Sequence, residues 1–205
     1  MPPGLLPAER LAFAEAALTS ARNVSATFEV EAQGSTKASL TGTLQLVGEN
    51  ALSLVAEGSF AGEPVRVELD SRSGDINRST TKGADVSGHR DPPAAALTQA
   101  VCLGLTRMGV LHNVARLVMD QGVDRAQGGV EAWVKAVDVK EGGPDTASGE
   151  SCHRVDFAIE VAGQRAGEAS LCLSDATALP LHRRQTVHFE AGDMTVVENF
   201  HWTVK

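Results

Sequence analysis

Two hydrophobic periods alternate along this chain, and their order predicts its architecture. Residues 7–22, PAERLAFAEAALTSAR, place Leu11, Ala14, Leu18 and Ala21 on one stripe at helical spacing, with Pro7 suited to the first turn of a helix. From Asn23 the period drops to two. In NVSATFEVEAQG, Val24, Ala26, Phe28 and Val30 face one way and Ser25, Thr27, Glu29 and Glu31 the other. Clean alternation of this kind marks an antiparallel strand with one wet face. ASLTGTLQLVG, ALSLVAEGSF, EPVRVELDSR and DINRSTTKG follow with short turn-forming linkers, so residues 23–88 predict a first β-meander.

The alternation then stops. In residues 91–121, Asp91 and Pro92 suit a helix start, and Leu97, Val101, Leu105 and Met108 form a helical stripe. Gly109 interrupts it, and Val110, Leu111, Val114, Leu117 and Val118 form a second one, which predicts a helical hairpin. Strand periodicity resumes over 122–205 in VEAWVKAVDV, ESCHRVDFAIEVAG, AGEASLCLSD and a closing hairpin, LPLHRRQTVHFEAGDMTVVENFHWTVK. The intervening KEGGPDTASGE reads as a flexible connection of turn formers.

About ten strands with one wet face each must cover the other face. Two stacked sheets would leave the helical stripes unburied. The expected fold is therefore α+β: one large, curled, antiparallel sheet, an unclosed half-barrel, wrapped over the N-terminal helix and the central hairpin. Strand twist makes a sheet of this size curl. A length of 205 residues favours a single domain, 1–205.

The closing hairpin raises a specific problem. With its turn at Ala191-Gly192, Leu181, Arg183, Gln185, Val187 and Phe189 share one face, opposite Met194, Val196, Glu198, Phe200 and Trp202. That register sets Gln185 opposite Glu198, puts an Arg183–Glu198 pair within reach, and sets His182 opposite His201 on the outer face. Charges on an otherwise apolar face admit two readings. They lie near the sheet's rim and are partly solvated, or they form a patch that contacts a ligand's headgroup.

Charge and chemistry narrow the function classes. The net charge of −8 disfavours nucleic acid. No apolar run reaches the roughly 18 residues of a membrane span. MPPGLLPAER has neither a charged n-region nor a long apolar h-region, so the chain is expected to be cytosolic or to have lost a leader. Cys102 reads as a core thiol and His153 as a satisfied core or cavity histidine, sharing the parity of Val155 and Phe157. Cys152 and Cys172 fall on neighbouring strands on one polar face, about three residues out of step in a hairpin turning near Gly163, which leaves a disulfide open. No nucleophile elbow, phosphate loop, dinucleotide fingerprint or zinc spacing is present, so no catalytic residue, metal or cofactor is expected.

The helix running straight into a strand (LTSARNVSATFEVEA), the meander from TGTLQLVGENALSLVAEG, and SDATALPLHRRQTVHF feeding the last hairpin resemble the LolA/LolB superfamily of outer-membrane lipoprotein carriers, which has relatives among mycobacterial lipid-binding lipoproteins. The most specific element is Asp175, Thr177, Leu179, Pro180, Leu181 and Arg183. The resemblance implies a half-barrel over plug and lid helices, a hollow for acyl chains, and a periplasmic or cell-envelope setting with the leader removed. A cytoplasmic setting stays open. The carrier's Lys-Arg-Pro-type stretch after its second strand is Val47-Gly48-Glu49-Asn50 here, without an arginine. The expected function is non-enzymatic binding of a lipid, acyl chain or lipidated molecule, by a monomer with an envelope protein as a further partner. The lining would be Phe28, Leu54, Val67, Leu105, Met108, Leu111, Leu117, Trp133, Phe157, Phe200 and Trp202, with Arg183, Gln185 and Glu198 at the ligand's polar head. The alternative is an interaction or scaffold domain with a filled core.

Overall fold

The computed structural model describes residues 1–47, 51–70, 75–80, 86–89, 94–118 and 134–204. Helix α1, Pro7–Ser20, is followed by β1 (Val24–Gly34), β2 (Ala38–Leu46), β3 (Leu52–Phe60), β4 (Glu63–Asp70), β5 (Asp75–Thr80) and β6 (Val86–His89). Helices α2 (Ala94–Arg107) and α3 (Val110–Val118) come next. Strands β7 (Val134–Ala147), β8 (Glu150–Val161), β9 (Gln164–Ser174), β10 (Pro180–Val187) and β11 (Met194–Val204) complete the chain.

All of these strands lie in one eleven-stranded sheet, ordered β6-β5-β4-β3-β2-β1-β11-β10-β9-β8-β7. Each half is a meander of antiparallel neighbours. The halves join where β1 pairs with β11, from Val24 against Val204 to Gly34 against Met194. Strands β6 and β7 are the two edges, so the sheet is unclosed, as the periodicity predicts.

The strictly alternating burial of β1 and β4 follows from one wet and one covered face. Glycine lets the strands approach where the covered face is crowded: a Cβ on Gly42 would collide with the Phe28 ring and the Val55 carbonyl. The helices cover the other side of the core. Leu11, Ala14 and Leu18 of α1 are buried, as are Val101, Leu105, Val110, Leu111 and Val114 of the hairpin. Pro7 opens α1, and Glu9 reaches back to accept from the Leu6 N–H at 2.8 Å.

Three expectations are corrected. A further strand, β6, follows β5, where residues 86–89 carry too few positions to show a period. The stretch from Lys140 to Ala147, expected to be a flexible connection, continues β7, and the turn comes at Ser148-Gly149. Two register shifts, after Val137 and after Glu141, absorb its Gly-Gly-Pro run while pairing with β8 continues. Cys152 and Cys172 do lie opposite the Val155 and Phe157 face, but they are not wet: both are buried with Leu181, and Ala147 and Trp202 pack against them. They form a disulfide across β8 and β9, with Cα atoms 5.6 Å apart and a register offset of two residues, Arg154 standing opposite Cys172. Asp91, Pro92, Met119 and Trp133 lie outside the described residues, as do Gly48, Glu49 and Asn50 of the stretch that departs from the carrier motif.

Replacing both Cys152 and Cys172 by Ala should lower stability by about 3 kcal/mol, because the bond closes a loop of 20 residues. Urea unfolding under non-reducing conditions would show the loss as a lower midpoint, with a somewhat steeper slope because the unfolded chain without the crosslink exposes more surface.

Candidate functional site

The apolar side of the sheet carries two core clusters. One joins Phe28, Leu44, Leu54 and Val67 of β1–β4 to Val101, Leu105, Val110 and Leu111 of the hairpin. The other joins Leu11 and Ala14 of α1 to Val155, Phe157, Leu171 and Leu173 of β8 and β9. Strands β10 and β11 lie between these strands in the sheet, and they carry the buried polar residues Arg183, Gln185 and Glu198.

Arg183 and Glu198 stand directly opposite each other, with Nε and Oε2 4.0 Å apart and both side chains at 0% exposure. Above them the helical hairpin turns. Arg183 donates from Nη1 to the Thr106 carbonyl (2.5 Å) and from Nη2 to the Arg107 carbonyl (2.7 Å) and Gln185 Oε1 (2.8 Å). Those carbonyls end α2. Glu198 Oε1 accepts from the Leu111 N–H at 2.9 Å, in the first turn of α3. The cation therefore caps a helix C-terminus and the carboxylate a helix N-terminus, each matching the dipole it faces. The guanidinium also lies 5.6 Å from the centre of the Phe157 ring.

Gly109 is the hinge residue of this elbow. Its φ is +85°, and a Cβ on it would lie 2.6 Å from both Glu198 oxygens. Glycine has no side chain with which to cap α3, and Glu198 supplies the cap from the sheet. Outside the pair, Arg107 holds Glu15 of α1 at 2.6 and 2.8 Å and donates to the Val134 carbonyl at 2.8 Å. Thr106 adds a hydroxyl bond to Glu15 at 3.1 Å. The elbow is thus tied to α1, β7, β10 and β11.

Burial sets the electrostatics. Desolvation lowers the Arg183 pKa to about 10, with Glu198 opposing. Desolvation raises the Glu198 pKa, against the pull of Arg183 and of the Leu111 and Val110 N–H groups. Cys102 is a buried thiol near the Leu18 carbonyl, pushed up to about 12 by burial.

The closing hairpin differs from its expected register. Arg183 opposes Glu198, and Gln185 opposes Val196 rather than Glu198. The turn is centred one residue earlier, where Gly192 N–H bonds the Phe189 carbonyl and His188 bonds Asp193. His182 consequently opposes and bonds Asn199 (2.8 Å), while His201 opposes Thr27. Phe189 leaves the shared face for the turn, half exposed, and Leu181 packs with the disulfide. The charged residues are not at a solvated rim; helix ends bury them completely. His153 is bonded as expected, to Asp175 at 2.5 Å, but is partly exposed.

Of the other expected lining residues, Phe28, Leu54, Val67, Leu105, Leu111 and Phe200 fall in the first cluster and Met108 and Phe157 in the second. Trp202 is half-buried, stacks near Phe200 and donates to the Pro180 carbonyl at 2.5 Å. Leu117 lies in α3, but its side chain is outside the described part, as is Trp133. A wide-open hollow of about 370 Å³ is bordered by Asp138, Lys140, Asp156, Arg165, Glu168 and Arg184. A further open hollow, of about 480 Å³, lies along α1 beside Met1, Phe13, Ala16, Ala17, Ala176 and Thr177. No helix among the described residues is long and apolar enough to cross a membrane. Glu15, Thr106 and Arg107 carry no spacing in the sequence that marks them, and Gly109 shows there only as an interruption between two helical stripes.

No protein-family model matches the chain, and no curated protein matches it. Its neighbours among solved structures include MucB, together with a mycobacterial lipoprotein and a LolA superfamily protein, the two kinds of protein named in the sequence resemblance. MucB aligns with 98% of this chain at a TM-score of 0.50 and 16% identity, and the alignment covers 60% of MucB, so this chain spans less than two thirds of that protein. The lipoprotein LppX of Mycobacterium tuberculosis aligns with 94% of this chain and 91% of its own at a TM-score of 0.44 and 12% identity. A LolA superfamily protein of Nitrosomonas europaea aligns with 98% and 94% at a TM-score of 0.35 and 6% identity. At 16% identity the likeness to MucB concerns the fold alone.

Two outcomes follow from the elbow. Glu198→Ala leaves Arg183 buried without its countercharge and should cost about 3–5 kcal/mol in chemical denaturation. The folded-state pKa of Glu198 lies above its unfolded value, so its contribution is full below the ordinary carboxyl range and declines as pH rises toward the folded pKa. A stability–pH profile of Glu198→Gln should lack that decline.

Proposed function

We propose that the chain is a non-enzymatic cell-envelope protein that holds a lipid, an acyl chain or a lipidated molecule between its sheet and its helices, in the manner of a carrier. The observation that carries this reading is the way the hairpin is attached. Its described polar ties to the sheet gather at the elbow, where Arg183 and Glu198 cap the two helix ends. Beyond the elbow, Val101, Leu105 and Val114 belong to the apolar cluster that the hairpin shares with the sheet. Such contact is non-directional, so an acyl chain can replace it at these apolar positions. A fourteen-carbon chain removed from water contributes roughly 11 kcal/mol at ~0.8 per methylene, before ordering costs. The hairpin acts as the lid, and the ligand takes the place that its apolar face occupies in the closed state. The Cys152–Cys172 disulfide supports an oxidising compartment, as a periplasmic or surface setting would supply.

A second reading has its own observation. Leu6 and Phe13 are exposed, at 65% and 41%, and Phe13 borders the open hollow along α1. That apolar surface suits an interaction domain with a filled core and an envelope protein as partner.

Mass spectrometry of organic extracts from gently purified protein, followed by thermal melts with added fatty acids and lipopeptides, separates the two. Co-purified acyl compounds and a raised melting temperature are expected. An extract free of lipid together with melts that no acyl compound shifts would leave the interaction reading in its place.

A further inference from the structure

The wet face of the sheet holds one histidine from two sides. His188 follows β10, and its ring is half-exposed. Nδ1 lies 2.9 Å from Asp193 Oδ1 in the β10–β11 turn, and Nε2 lies 3.0 Å from Glu168 Oε2 on β9. An ionised carboxylate can only accept, and a neutral imidazole carries a single N–H. Both contacts are hydrogen bonds only when both ring nitrogens are protonated, so the geometry is that of the imidazolium. A neutral ring would turn a lone pair toward one of the two carboxylates. The bonds to Asp193 and to Glu168 raise the His188 pKa from its ordinary value, against a smaller opposing effect of desolvation.

The ring is also one member of a row of alternating charge. Asp138 of β7 pairs with Arg165 of β9 at 3.6 Å, and Arg165 pairs with Glu168 at 3.1 Å. Glu168 pairs with His188, and His188 with Asp193. The Asp193 carbonyl then accepts from the Ser35 N–H at 3.1 Å, just past the end of β1, while the His188 N–H donates to the Ala166 carbonyl of β9 at 2.9 Å. The row therefore runs from the edge strand to the ladder where the two meanders join. Other charges near the ring are Glu190 in the turn and Arg184 on β10, while the outward residues of β11 and β1 at this level, Thr195 and Gln33, are uncharged. Carboxylates and guanidinium groups keep their charge across neutral pH, and only an imidazole changes there.

We propose that His188 is a proton-operated staple: protonated, it fastens the β10–β11 turn to β9 and steadies the junction of the two meanders; deprotonated, it releases one carboxylate and that corner of the sheet loosens. The direction is set by linkage. A group whose folded pKa lies above its unfolded value contributes fully below the unfolded value, and the contribution is lost as pH rises through the folded one. The corner is therefore tightest in an acidified compartment. The same turn sets the register in which Arg183 opposes Glu198, so the staple is placed to steady the strands beneath the elbow. It acts whether or not the interior holds a ligand.

Long-range proton–nitrogen NMR spectra of the imidazole rings, recorded from about pH 5.5 to about pH 9, read both ring nitrogens directly, and loss of one set of signals in His188→Gln assigns the residue. His188 should keep both protons past the ordinary histidine midpoint, with its own midpoint at least about 0.5 higher than the usual value of about 6.5. Asp193→Asn and Glu168→Gln should each lower that midpoint. Hydrogen-exchange protection of the Gly192 and Ser35 amides, taken relative to their intrinsic rates, should fall about two- to fivefold across the midpoint, the range that half-exposed ion pairs supply. In His188→Gln the protection should not change with pH. A midpoint at or below the ordinary value would overturn the staple. Protection that ignores the midpoint, or that falls equally in His188→Gln, would overturn it too. The wild-type titration and its protection profile decide alone if a variant fails to fold.

Discussion

Arg183 and Glu198 carry opposite charges into the middle of the sheet's covered face, and the helices above are placed so that both charges are answered. A helix that ends and a helix that begins within two residues put a negative and a positive dipole end side by side. The cross-strand pair below offers a cation to the first and an anion to the second. Gly109 makes this possible twice over, by adopting φ +85° and by leaving room for the carboxylate. Charges this deeply buried are expensive unless every partner is in position. The pair therefore specifies where the elbow sits more than it adds to stability, and Arg107 extends the same placement to α1 through Glu15.

The pair also organises the apolar interior. On one side the hairpin covers β1–β4; on the other, α1 covers β8 and β9. Leu18 near the end of α1 reaches the first cluster, while Leu11 and Ala14 belong to the second. One helix thus bridges both compartments, and the central strands carry polar groups between them. On the lipid-holding reading proposed above, a hairpin anchored at such a centre would move without exposing an unpaired backbone end, because the caps remain at the pivot. The lipid-holding reading needs that combination of a fixed elbow and exchangeable apolar contacts.

The parts legible in the sequence were those in which the two faces of an element differ. In β1, Val24, Ala26, Phe28 and Val30 alternate against Ser25, Thr27, Glu29 and Glu31, and burial follows them. The helical stripes around Gly109 were legible for the same reason. Residues 140–147 were not, because β7 is an edge strand, mostly wet, whose pairing survives two bulges. The Arg183–Glu198 contact was within reach of pattern reasoning, but its register depended on a turn centred one residue earlier, which His188, Asp193 and the Phe189 carbonyl determine. Its complete burial was not legible at all. The partners are backbone carbonyls and N–H groups at helix ends, which leave no mark in the side-chain alphabet. The available signal was Gly109 itself, a helix start without a capping side chain, in a chain with an acidic residue on an apolar face elsewhere.

The pairing of β1 with β11 gives the molecule a distinctive order of assembly. Every other strand bonds to neighbours close in sequence, whereas this ladder brings together residues separated by nearly the whole described chain. During synthesis each meander can form locally, yet the middle of the sheet stays open until β11 emerges. Glu198 travels on that strand, so the helical elbow receives its anion only then. The nascent chain is thus held back from its finished interior until β11 reaches β1.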